Sequence, residues 1–163
     1  MGFVGSYVWK LRQVWGSQLL IGIGAEIVIT NTKGQILLGM RKDLNVWASF
    51  GGHMDPKEDI TACALREVYE EVGLKLQPSQ LTPIGFLSKY DKVINTYPNG
   101  DEMQSLALVF TAICEDERTA IDGEYDSFKW FDVDALPENM QLFSKNSVGM
   151  YQAWLKTKKF QVE

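Results

Sequence analysis

The chain has 163 residues, of which 45% are hydrophobic, enough for one domain with a sizeable core. Its net charge of −5 and pI near 5.0 argue against a general nucleic-acid or membrane-surface binder, but not against a nucleotide, because a bound metal inverts the local field. No apolar run reaches membrane-spanning length, Lys10 and Arg12 follow the apolar N-terminal stretch rather than precede it, and Cys63 and Cys114 form no disulfide framework, so a reduced, cytoplasmic protein is expected.

Val4, Val8, Leu11 and Trp15 recur at helical spacing. They predict an amphipathic segment over residues 1–17, with Lys10 and Arg12 on its other faces, ended by Gly16 and Ser17. It packs on the domain or on a second copy of the chain, so a homodimer is one expectation. Residues 19–30 are rich in β-branched and aliphatic side chains and read as a strand. Asn31-Thr32-Lys33-Gly34 is a turn, and residues 35–41 form the second strand of a hairpin. Lys42 to Asn45 is a polar loop, and residues 47–52 make an extended approach to Gly51-Gly52, where the backbone needs glycine for close approach.

Asp59 suits a helix N-cap and Gly73 a left-handed C-terminal stop, which places one helix between them. Ala64, Leu65, Val68 and Val72 lie on a stripe that can be buried. Glu67, Glu70 and Glu71 stand at i, i+3 and i+4 and project from another side. Like charges at this spacing weaken a helix by roughly 0.2–0.5 kcal/mol per pair. A hard divalent cation would offset that repulsion.

Residues 81–90 read as a strand. Tyr97-Pro98-Asn99-Gly100-Asp101 is a tight-turn signal leading to a partner strand over residues 104–114. The apolar centre of that strand, Leu106 to Phe110, predicts burial on both faces. Asp101 and Glu102 read as turn and edge charges. Glu115-Asp116-Glu117-Arg118 is a charged loop, and an acidic segment with Glu124 leads into a strand through Trp130-Phe131 before Leu136-Pro137. Asn146 or Ser147 is expected to cap a final helix over residues 146–158, with Ser147, Tyr151, Trp154 and Leu155 as its buried stripe.

Gly52, Glu58, Arg66-Glu67, Val68, Glu70-Glu71, Gly73 and Leu74 stand at the spacing of a complete Nudix box, and every fixed position is filled. The chain thus resembles the Nudix hydrolase family over residues 52–74, with supporting similarity from about Leu20 to Pro137. The resemblance implies a single α/β domain over residues 1–163, an α/β/α sandwich around a mixed β-sheet. It implies that Glu67, Glu70 and Glu71, with a carbonyl of Gly51 or Gly52, bind Mg2+ or Mn2+, and that Glu70 and Glu71 serve catalysis. Glu58 and Arg66 are by resemblance an ion pair bracing loop against helix. Relatives use an acid in the later loop as a base or extra metal contact, and Glu124 is the matching choice, its other reading being a solvent-facing acid. Arg41 is a substrate-phosphate contact or a surface charge. His53, the only histidine, is a substrate contact or a structural residue. Phe50 replaces a usual proline and Lys57 a usual glycine. Phe50, His53 and the loop over residues 91–102 are expected to shape the specificity pocket.

The implied activity is hydrolysis of the pyrophosphate linkage of a nucleoside diphosphate derivative: a nucleotide sugar, an ADP-ribose-like compound or a nucleoside triphosphate. The implied partner is that small molecule, with no nucleic acid and no membrane. Lys145-Asn146-Ser147 loosely resembles the ending of GDP-mannose mannosyl hydrolases, which raises a GDP-sugar glycosyl hydrolase as an alternative. Those relatives have an altered box; the intact one here favours attack at phosphorus. A non-catalytic nucleotide sensor is the third class, and the full set of acids argues against it.

Overall fold

Hydrophobic alternation along the strands divides the molecule into two apolar layers on either side of one mixed sheet. The computed structural model describes residues 5–97, 99–114 and 123–163. Val4, Pro98, the charged loop from Glu115 to Arg118, Ile121 and Asp122 lie outside the described residues. Among those described, the strands are β1 (Leu20–Thr30), β2 (Gln35–Arg41), β3 (Val46–Ala48), β4 (Phe50–His53), β5 (Thr82–Leu87), β6 (Ile94–Thr96), β7 (Glu102–Ile113), β8 (Tyr125–Asp132) and β9 (Gln161–Val162). The helices are α1 (Tyr7–Trp15), α2 (Ile60–Val72), the single turn α3 (Tyr90–Val93) and α4 (Leu142–Thr157). The main path across the sheet runs β3-β2-β1-β7-β5-β9, with β4 on β1, β6 on β7 and β8 on β2. The β1–β7 and β5–β9 pairs are parallel; the others are antiparallel.

Period-two alternation in β1 sends Ala25, Ile27 and Ile29 to one face, where they pack with Cys63, Ala64, Val68 and Val72 of α2. Val28 goes to the other face, with Ile36, Leu38 and Val109 against Val148, Met150 and Tyr151 of α4. This is the expected α/β/α arrangement, and burying each of its Val, Leu, Ile and Met side chains contributes about 1.5–3 kcal/mol. Val8 of α1 packs with Leu20 and Met103, so α1 docks on its own domain. Among the described residues no helix is long and apolar enough to cross a membrane.

Several elements differ from expectation. Arg12, expected on an outer face of α1, is buried: its guanidinium donates to the carbonyls of Gly16, Gln18 and Glu102. The predicted β1–β2 hairpin is paired only at Thr30 and Ile36, because β2 continues along β8 while β4 takes the same edge of β1. That exchange sets Gly52 beside Ala25 and Gly51 beside Glu26. The expected strand over residues 81–90 is cut at Leu87 by α3. The tight hairpin onto β7 is made instead by β6, with Gly100 taking the positive φ. The final helix begins at Leu142, not 146. Ser147 lies buried inside it, while Trp154 is half-buried and Leu155 exposed.

Candidate active site

The loop into α2 is braced at both ends. The Asp59 carboxylate accepts from the Ala62 amide at 2.8 Å, and Gly73 stops the helix in the left-handed region (φ 76°, ψ 6°). Lys57, where relatives of the box carry glycine, keeps the glycine conformation at φ 76°. Glu58 accepts from Arg66 Nε at 2.8 Å and Nη2 at 2.9 Å and also caps the Asp55 amide. The Arg66 guanidinium therefore holds the Glu58 carboxyl below its ordinary range. Arg66 Nη2 also reaches the His53 carbonyl at 3.0 Å, tying helix to β4. The fork geometry of arginine makes these contacts possible together.

The three acids on the box helix are not presented alike. Residues advance by roughly 100° around a helix, so Glu67, Glu70 and Glu71 fan out rather than align. Glu70 is exposed, Glu67 half-buried, and Glu71 only 5% exposed. Arg66 Nη1 bridges Glu67 Oε1 at 2.7 Å and Glu70 Oε2 at 3.1 Å. The Glu67 carboxylate lies against the Gly52 α-carbon; a Cβ there would fall under 3.0 Å from both its oxygens. Glu71 turns inward, accepting from the Gly51 amide at 2.8 Å and the Tyr125 hydroxyl at 3.1 Å. Burial, then the neighbouring Glu67 charge, pushes the Glu71 carboxyl well above its ordinary range, and burial raises Glu67 as well.

Two participants escape a box-centred reading. Glu26 of β1 is 6% exposed, bonded to the Ser49 and Ser147 hydroxyls, and pushed up to about 7 by burial. Its sequence signal is a lone acid inside the apolar run Leu20 to Thr30. Tyr125 of β8 is buried with its ring in the space over Gly39, where a Cβ would collide with it. A glycine inside the apolar strand Gln35 to Arg41 is the corresponding clue to close approach.

Arg41 is half-buried, forked onto Asp43 with two contacts of 2.9 Å, 3.8 Å from Glu124, and over the Tyr125 ring at 5.9 Å. Glu124 thus stands beside the box rather than in open solvent, with its carbonyl accepting from the Lys42 amide. His53 Nε2 lies 3.0 Å from the Ser105 hydroxyl, and burial lowers the imidazole to about 4, which makes it neutral. Phe50 is a correction: it is fully buried, packed on Tyr125 and Phe128 at centroid distances of 5.7 and 5.9 Å, and offers no surface to a substrate. Alternation along β4 explains this, since Phe50 faces the α2 layer and His53 does not.

A cavity of about 360 Å³ brings together Glu67, Glu70, Glu71, Glu26, Arg41 and Glu124, with Gly51, Gly52 and His53 in its wall. Among the described residues no three acidic, histidine or cysteine side chains converge on one ion-sized point. The donor set nonetheless fits a hard divalent cation, which takes oxygen ligands, keeps several waters and needs only one or two carboxylates. Glu67 and Glu70 already share a positive group, the Arg66 nitrogen between them. The missing Cβ at Gly52 is what lets the Glu67 carboxylate lie against the glycine turn.

The NUDIX domain model matches residues 21–151 of the chain. A nucleoside triphosphatase NudI from Klebsiella pneumoniae (strain 342) is 29% identical over 134 residues, covering 78% of this chain and 93% of that protein. The nucleoside triphosphatase NudI of Salmonella paratyphi B is 31% identical over 102 residues, covering 61% and 68%. Among solved structures, a MutT NUDIX hydrolase from Burkholderia pseudomallei superposes with a TM-score of 0.64 at 23% identity, covering 80% of this chain and 97% of that one, a likeness of fold.

Proposed function

Since the chain belongs to the Nudix family and is an enzyme of the pyrophosphohydrolase class, we propose that it hydrolyses nucleoside triphosphates or closely related nucleoside diphosphate derivatives in a reaction dependent on Mg2+ or Mn2+. The names of the relatives that match over most of their length favour the triphosphate. The observation that carries the reading is the pair of carboxylates on the glycine turn: Glu67 against Gly52, and Glu71 on the Gly51 amide, both in the cavity wall.

Glu67, Glu70 and Glu71, with a Gly51 or Gly52 carbonyl, would hold the metal. When bound, it supplies neutralisation of the anhydride oxygens and a lowered pKa for a water ligand. Glu58 and Arg66 keep α2 fixed on the β4 carbonyl, so the acids keep their places. The Gly51 amide and the Tyr125 hydroxyl orient Glu71. Glu124, outside the box helix, accepts the proton of the attacking water, because a carboxylate engaged by metal has lowered basicity. Arg41 faces the phosphates, and exchanges part of its hold on Glu124 for a phosphate oxygen.

The test is a panel of nucleoside triphosphates, nucleotide sugars and ADP-ribose with Mg2+ or Mn2+, products identified by 31P NMR. Nucleoside monophosphate plus pyrophosphate is the expected outcome. Nucleoside diphosphate plus free sugar from a GDP-sugar would move the enzyme to glycosyl hydrolysis, and no turnover anywhere in the panel would overturn the proposal.

A further inference from the structure

One end of the cavity carries none of the chemistry described so far. His53 is two residues beyond Gly51 on β4, roughly 6.5–7 Å along an extended chain. Its ring lies against Gly22, where a Cβ would strike His53 Cδ2, and its Nε2 meets the Ser105 hydroxyl of β7. That hydroxyl also accepts from Asn95 Nδ2 of β6 at 3.0 Å. The three side chains come from three different strands and converge on one oxygen. His53, Ser105 and Asn95 all line the cavity, with Gly24 and Ala107 as a floor of small residues. Two aromatic side chains, Tyr97 and Tyr7 of α1, stand in the same wall.

The cluster holds no lysine, arginine or carboxylate: its three side chains are an imidazole, a hydroxyl and an amide. The two cations among the described cavity-lining residues are engaged elsewhere, Arg41 by Asp43 and Arg66 by Glu58, Glu67 and Glu70. A phosphate finds no partner of opposite charge in this cluster, whereas a neutral heterocycle finds both of its needs. A nucleobase wants a flat apolar or aromatic surface for its faces and a paired donor and acceptor for its edge. The Asn95 carboxamide presents an oxygen and a second N–H beyond the hydrogen it gives Ser105, the bidentate pattern that asparagine uses on base edges.

We propose that His53, Ser105 and Asn95 form the nucleobase-reading subsite of the cavity, with Asn95 making the edge contact, Ser105 and His53 fixing its orientation, and Tyr97 and Tyr7 flanking the ring. This rests on the nucleotide-hydrolase reading above and adds to it the residues that select the base. The separation from Gly51 agrees with a nucleoside monophosphate arm reaching from the scissile anhydride to its base.

The test compares wild type, Asn95→Ala and Asn95→Asp on the four common nucleoside triphosphates, their 2′-deoxy forms and inorganic tripolyphosphate. A parallel measurement, by calorimetry without metal, follows binding of the four nucleoside 5′-monophosphates. Loss of one or two edge hydrogen bonds should raise KM for the preferred nucleotide about tenfold in Asn95→Ala with kcat changed much less. Asn95→Asp, which trades a donor for an acceptor at nearly constant size, should reorder the bases rather than weaken all of them equally. Thermal unfolding of both variants checks that the fold is kept. An unchanged base ranking in both variants, a loss carried by kcat for all nucleotides alike, or an effect that vanishes with the 2′-deoxy substrates (a ribose contact) would overturn the proposal. If no triphosphate is cleaved but the monophosphates still bind with an Asn95-dependent ranking, the hydrolase reading fails and the subsite stands.

Discussion

Gly52→Ala should separate function from folding. A methyl group at that position would fall under 3.0 Å from the Glu67 carboxylate, the free end of a flexible side chain, which can rotate away. Replacing a strand glycine recovers about 0.5–1 kcal/mol of backbone entropy, which largely offsets the crowding, so stability should change by no more than about 1 kcal/mol. The Glu67 carboxylate, however, must move by about 1 Å, a displacement that costs on the order of a hundredfold in rate where geometry is tight. Gly24→Ala is the contrast. Its methyl group would meet the carbonyl carbon and oxygen of Gly52, backbone of a paired strand that cannot swing aside. That overpacking should destabilise by about 1–3 kcal/mol or more. Urea unfolding midpoints and metal-supported nucleotide hydrolysis read the two effects separately. Equal destabilisation of both variants, or wild-type turnover in Gly52→Ala, would refute the reasoning.

Glu26 titrates in the fold at about 7 rather than at 4.5, because it is buried. The unfolded chain therefore releases this proton first as pH rises, so folding stability falls between about pH 4.5 and 7 and levels off above, by about 3 kcal/mol over the window. Glu26→Gln should lack that fall, measured by denaturant unfolding of metal-free protein across the range; parallel curves for the two proteins would rule it out. Tyr125→Phe takes one donor from the buried Glu71 carboxylate and should cost about 1–3 kcal/mol, with a loss of kcat larger than any change in KM. An unperturbed unfolding midpoint would show that the hydroxyl contributes nothing. Glu124→Gln should lower turnover while leaving metal affinity intact, read by hydrolysis rates beside a Mn2+ titration; unchanged turnover removes Glu124 from the mechanism.

Where chain-local physics decides, residue order alone was enough. The cap at Asp59, the stop at Gly73 and the buried stripe through Ala64, Val68 and Val72 follow from spacing within one loop and helix, whereas the Glu58–Arg66 pair followed from the family resemblance. The layered architecture around a mixed sheet followed from the family resemblance carried by that same motif. What spacing could not supply is the depth of each acid. Glu71 is buried because β4 and Tyr125 close over it, contacts made by residues 20 and 54 positions away. Glu26 meets Ser49 and Ser147, the latter 121 positions distant. The start of α4 was misplaced because Ser147 resembles a cap, whereas in the fold its hydroxyl bonds back to the Phe143 and Ser144 carbonyls inside the helix. Phe50, expected with His53 to shape the pocket, stands three positions before it on β4, and alternation along the strand sends the two to opposite sides.

The central claim is that the carboxylates around the Gly51-Gly52 turn grip a divalent ion beside a phosphoanhydride. Titration of the protein with Mn2+, followed by electron paramagnetic resonance in wild type, Glu67→Gln and Glu70→Gln, tests it most directly. Saturable binding in wild type, weakened at least about tenfold in each variant, with triphosphate hydrolysis following metal occupancy, is the predicted result. A wild-type protein that takes up no ion, or variants that bind it and hydrolyse the nucleotide as well as wild type, would contradict the account.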